Sequence, residues 1–118
     1  AIIITGRRED RLQDLQLNLE QAHQRAVLSL PFDIRNEEEV KWAVEKALQW
    51  KGQIDVLINN AGMNRGTLPK IDSADGIELT FATNVLGYFM LAQELLDVLK
   101  RSAPSRIVTS TSRSIRSL

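Results

Sequence analysis

Ile54-Asp55-Val56-Leu57-Ile58-Asn59-Asn60-Ala61-Gly62 is the stretch on which the reading of this chain turns. The apolar run reads as a buried parallel strand, because such strands carry near-continuous apolar sequence rather than alternation. Ala61 and Gly62 then supply a turn whose small residues let backbone pass close to a bound group. Asn59 is expected to satisfy stray backbone groups of neighbouring strands at the strand end.

Working outward, the same alternation of apolar run and amphipathic segment repeats. Ile2-Ile3-Ile4-Thr5, closed by Gly6, predicts a strand buried on both faces. From Glu9 to about Gln24, Leu12, Leu15, Leu19 and Ala22 share a helical face, with Leu17 off it. Ala26 to Phe32 reads as a strand. Asn36 is placed to cap the next helix, with Glu39 three residues on, a relative of the capping box. Val40, Ala43, Val44, Ala47 and Leu48 form its buried stripe, and Gly52 ends it. Ser73 to Arg101 reads as a long helix with Phe81, Val85, Tyr88, Phe89, Ala92, Leu96 and Leu99 inside. Pro104 stops it, and Arg106 to Thr109 begins a fourth strand. This order predicts an α/β fold with parallel strands and right-handed crossovers.

Composition narrows the function classes. The 118 residues suit one domain, and 43% apolar content is enough for a core. Acidic and basic residues balance at 15 each, so no charge excess points to nucleic acid or an anionic membrane. With no cysteine and a single histidine, His23, in a polar stretch, no metal centre is expected. No apolar run reaches the ~20 residues of a membrane span, and Ala1-Ile2-Ile3-Ile4 is too short for a signal segment. The absence of cysteine leaves the compartment open; the cytoplasm is the favoured expectation.

Asn59-Asn60-Ala61-Gly62 off an apolar strand resembles the signature of the short-chain dehydrogenase/reductase family, and further matches fall in family order on both sides. The resemblance implies a partial Rossmann-type parallel sheet with flanking helices. It would be three-layered and incomplete, holding the family's second to fifth strands in the spatial order third, second, a gap, fourth, fifth. It also implies hydride transfer between a nicotinamide cofactor and a small-molecule alcohol or carbonyl. Thr5-Gly6-Arg7-Arg8 matches the end of the family's second strand rather than its phosphate loop, since no glycine follows until Gly52. Arg7 stands where NAD-preferring members carry an acid, so Arg7 and Arg8 imply NADP, with its 2′-phosphate held by guanidinium forks. Taken alone, the pair reads more readily as a solvated basic turn before a helix; only the resemblance reverses that order.

The resemblance implies further roles by position. Asp33 would accept from the adenine amino group, with the Ile34 amide assisting. Asn60 would lie against a cofactor ribose, flanked by Ala61 and Gly62. Asn84, with Gly87, matches an Asn-x-x-Gly that holds a helix irregularity and a water of the proton relay. Aligning Arg106-Ile107-Val108 places the carbonyl-binding serine at Ser112, with Ser110 as the alternative. The family's Tyr-x-x-x-Lys does not occur: Tyr88 is the sole tyrosine, and four residues on stands Ala92. The 118 residues alone are therefore expected to be inactive, the middle of an oxidoreductase. Other readings are an inert fragment or a module docking through helix 73–101, which in many family members also packs in a homo-oligomer interface. The half before Met63 is similar to bacterial-type members. The stretch from Asp75-Gly76-Ile77-Glu78-Leu79 to Ser102-Ala103-Pro104-Ser105-Arg106 is similar to retinol-dehydrogenase-type branches.

Overall fold

The structure, a computed structural model, describes residues 1–60, 69–73 and 76–110. Strands β1 (Ile2–Gly6), β2 (Val27–Pro31), β3 (Val56–Asn59) and β4 (Arg106–Thr109) alternate with helices. Helices α1 (Glu9–His23) and α2 (Glu37–Lys51) follow the first two strands. A short turn of helix, α3 (Leu79–Phe81), leads through a π-helical segment (Ala82–Leu86) into α4 (Gly87–Arg101). All strand pairing is parallel, β1 with β2 and β3 with β4, as two separate two-stranded sheets. This 2+2 arrangement is the gapped order expected from the sequence.

Side-chain alternation along β2 shows why helices lie on both faces. Ser29 points to α1, where its hydroxyl donates to Gln16 Oε1 (2.9 Å) and Gln16 Nε2 donates to the Val27 carbonyl (2.8 Å). Leu28 and Leu30 face the other way, into a cluster with Phe32, Val40, Ala43, Leu95, Val98 and Leu99. That cluster is the core: α2 and α4 pack on one another there, and Leu57 brings β3 into it. Val40 at its centre is completely buried. Each such side chain removed from water contributes about 1.5–3 kcal/mol.

Helix α2 forms as its sequence dictates. Asn36 Oδ1 accepts from the Glu39 amide (3.1 Å), a cap of about 1 kcal/mol. Gly52, in the left-handed region at φ 66°, closes the helix through its N–H to the Leu48 carbonyl (2.8 Å). The capping box itself does not close. Glu39 Oε1 instead accepts from the Asp33 amide (3.4 Å), tying the helix start to the loop after β2.

Three expectations are corrected. The long helix starts at Leu79, not Ser73. An antiparallel bridge between Asp72 and Glu78 and a turn closed by Gly76 N–H to the Ser73 carbonyl (3.0 Å) precede it. Glu78 ends that bridge and caps the helix, its carboxylate accepting from the amides of Thr80 (3.0 Å) and Phe81 (2.9 Å). The buried stripe of the helix is Ala82, Thr83, Gly87, Leu95, Val98 and Leu99, whereas Phe81, Val85, Phe89 and Leu96 are exposed. Apolar residues stand on nearly every side of this helix, and packing against α2 and β3 selects which of them are buried, while the i→i+5 bonding of the π segment offsets Ala82 and Thr83 from the stripe of α4. Finally, β1 and β3 are not buried on both faces as their apolar runs predict: Ile2, Val56 and Ile58 are exposed, as is every residue of β4, because the core covers one face of each strand pair more fully than the other.

Candidate functional site

Parallel pairing brings the strand ends together within each pair. Gly6 lies opposite Pro31, and the Phe32 N–H donates to the Gly6 carbonyl (2.9 Å), so Arg7 and Asp33 leave neighbouring strands at one level. The Arg7 charge reaches the Asp33 carboxyl. Arg7 and Arg8 are exposed, and among the described residues neither forms a salt bridge. Arg8 precedes α1 and its side chain does not cap the helix, so it satisfies none of the first-turn N–H groups.

Asp33 is held by a residue that the sequence reading passed over. Arg35 Nε donates to Asp33 Oδ1 (2.9 Å), Nη2 donates to Oδ2 (2.7 Å), and the Arg35 amide donates to Oδ1 (3.0 Å). This planar fork holds the Asp33 carboxyl below the ordinary aspartate range, against partial burial that pushes it up. Its contribution to stability is full above the unfolded aspartate value and is lost as pH falls through the lowered native one. The Asp-x-Arg spacing was the available signal, an aspartate whose turn two residues on places a guanidinium over it.

Across the gap, Asn59 is buried at 4% exposure; its Nδ2 reaches Thr109 Oγ1 of β4 at 3.5 Å, and its Oδ1 has no partner among the described residues. The amide thus meets a side-chain hydroxyl of the neighbouring strand, not the stray backbone groups expected from its position. Asn60 is exposed, and the Ser110 N–H donates to the Asn59 carbonyl (2.9 Å). No hydrogen bond among the described residues links Asn60 to Asp33 or Arg7. Ala61, Gly62 and Ser112 lie outside the described residues.

Asn84 stands, half-buried, at the middle of the π segment. Just before it, the buried Thr83 hydroxyl donates to the Leu79 carbonyl (2.9 Å). Just after, Gly87 presses on the loop beyond β2. A Cβ there would lie 3.0 Å from both γ-carbons of Ile34 and 3.2 Å from its carbonyl oxygen. The helix irregularity and the Asp33–Ile34 loop are thus fixed to one another. Two clefts flank the contact. One of about 600 Å³ is lined by Asp33, Arg35, Asn36, Ile71, Asp72 and Leu79 among others; one of about 340 Å³ is lined by Arg35, Ala82, Leu86, Gly87 and Phe89 among others. Burial pushes the Tyr88 phenol above its ordinary value, away from a useful acid. Among the described residues there is no cluster of metal-ligating side chains, and no helix is long and apolar enough to cross a membrane.

Known proteins share this arrangement. The short chain dehydrogenase family model matches residues 1–116. Human retinol dehydrogenase 14 is 42% identical over 82 residues, which is 70% of this chain and 24% of that protein. A 12alpha-hydroxysteroid dehydrogenase of a Clostridium species is 32% identical over 111 residues, covering 90% of this chain and 43% of that protein. An alcohol dehydrogenase from the archaeon Thermococcus sibiricus, complexed with 5-hydroxy-NADP, superposes at a TM-score of 0.81 with 27% identity, covering 95% of this chain and 47% of that one. The L-sorbose reductase of Gluconobacter frateurii, complexed with NADPH and L-sorbose, shares the fold at a TM-score of 0.86 with 22% identity, covering 98% and 44%. This chain thus spans less than half the length of each. A family match across nearly every residue, over parallel strands that alternate with helices, leaves one assignment: the chain belongs to the short-chain dehydrogenase family.

Proposed function

We propose that this chain is the middle portion, a partial nucleotide-binding domain, of an NADP-dependent short-chain oxidoreductase that interconverts small alcohols and carbonyls by hydride transfer. The supporting observation is the end of β1, where Arg7 and Arg8 are exposed without salt-bridge partners among the described residues and the Arg7 charge reaches Asp33. A dianionic 2′-phosphate is the chemistry that two free guanidiniums suit. Asp33 and the Ile34 amide then take the adenine, and Asn60, Ala61 and Gly62 take a ribose. Asn84 serves the proton relay, and Ser112, with Ser110 as the alternative, polarises the carbonyl. The 5-hydroxy-NADP in the structure of the Thermococcus sibiricus alcohol dehydrogenase is consistent with this reading; NAD is the weaker fit.

In the full-length protein carrying this segment, Arg7→Asp is expected to move the kcat/KM ratio toward NAD by roughly ten-fold or more, since it replaces a charge-assisted contact by repulsion. The check is steady-state kinetics with both cofactors. A parent that uses NAD better before substitution would refute the assignment.

A second reading concerns helix 79–101. Phe81, Val85, Phe89 and Leu96 are exposed along it, Phe89 at 62%. This band suits packing against a second copy in the full-length protein. Phe89→Lys is then expected to shift the parent toward monomer in sedimentation velocity, and an unchanged distribution would exclude this face.

A further inference from the structure

We propose that Arg35 is a positioning residue that makes the base pocket selective for an amino group over a carbonyl oxygen. The inference rests on the reading of Asp33 as the adenine acceptor and goes one step behind it. A carboxylate offers about four acceptor sites, two on each oxygen. Arg35 occupies both on Oδ1, through Nε (2.9 Å) and its own amide (3.0 Å), and one on Oδ2, through Nη2 (2.7 Å). One site remains, on Oδ2, held in a fixed plane by the bidentate fork. The guanidinium is itself held down, with its side chain only 17% exposed.

A rigid carboxylate with a single open acceptor reads one donor. The exocyclic amino group of adenine supplies it. Hypoxanthine presents a carbonyl oxygen at that place, and two acceptors then face each other with no proton between them. Without Arg35 the Asp33 carboxyl, 27% exposed, is free to turn toward water or take up a proton, and the penalty on the wrong base falls. Arg35 touches no cofactor atom in this account; it acts through Asp33.

The experiment compares NADPH with its hypoxanthine counterpart in the full-length protein carrying this segment, by kcat/KM. The wild type is expected to prefer NADPH by roughly ten-fold or more. Arg35→Gln is expected to cut that preference about five-fold, and Arg35→Lys, which keeps a charge but not the fork, by less. A merely structural role would lower kcat/KM for both cofactors alike and leave the ratio unchanged, which overturns the proposal. Should Arg35→Gln fail to fold, an unchanged ratio in Arg35→Lys overturns it equally. A wild type that uses NADPH but ignores the base refutes Asp33 as acceptor, and this inference with it. A wild type that turns over neither cofactor refutes the oxidoreductase reading itself.

Discussion

Purified as these 118 residues, the protein is expected to show no NADP-dependent turnover above background on broad panels of carbonyls and alcohols. Proton delivery is the first deficit. Tyr88 is the sole tyrosine, burial moves its phenol in the wrong direction for an acid near neutrality, and no lysine stands four residues beyond it. General acid catalysis of the usual size, about 10²–10⁴-fold, is therefore forgone. Cofactor positioning is the second. Between Gly6 and Gly52 there is no glycine, so the turn after β1 cannot let a pyrophosphate approach the backbone. Loss of orientation forfeits several further kcal/mol, of the order assigned to pre-paid entropy. The measurement is nicotinamide absorbance over time. Turnover abolished by Ser112→Ala would place the chemistry within these residues and refute the expectation.

Gly87→Val is expected to lower the stability of the chain by about 3 kcal/mol, because overpacking at this contact outweighs the helix propensity gained. The obstacles are the branched γ-carbons of Ile34 at 3.0 Å and its backbone oxygen at 3.2 Å, none of them the far end of a flexible side chain. Urea unfolding followed by circular dichroism reads the loss. Adding Ile34→Ala should restore part of it, since the two sites share one contact. A Gly87→Val protein as stable as the wild type would show that helix and loop can part without penalty.

Much of the fold was legible because it is written in local patterns. The four strands appear within a residue or two of their apolar runs, and α2 begins at the cap and ends at the glycine that the sequence marks. The helix beyond residue 70 was less legible. Its apolar residues nearly encircle it, so which of them are buried depends on where α2 and β3 pack, and no count along the sequence contains that. Gln16 shows the same limit on α1, where a polar side chain occupies the inward face and Leu15 and Leu17 are exposed. The site was legible as positions along the strand ends. Its cross-links were not: Arg35 over Asp33 and Gly87 against Ile34 depend on how a loop turns and how near a helix comes. Neither is encoded in spacing alone.

The two strand pairs also differ in what they demand of evolution. Val27 lies opposite Ile2, whereas Arg106 lies opposite Val56, across a connection roughly twice as long. Such a doubling costs only about 0.6 kcal/mol of closure entropy. Closure entropy therefore sets little limit on the longer connection; what limits it is α4 within it, whose Leu95, Val98 and Leu99 belong to the core. A one-residue slip in β2 is limited likewise, because it would turn Leu28 and Leu30 from α2 toward α1 and put Ser29 into the core. Both crossovers are thus held to register where they meet the core, the first through β2 and the second through α4, and changes of length are tolerated only between those contacts and the strands.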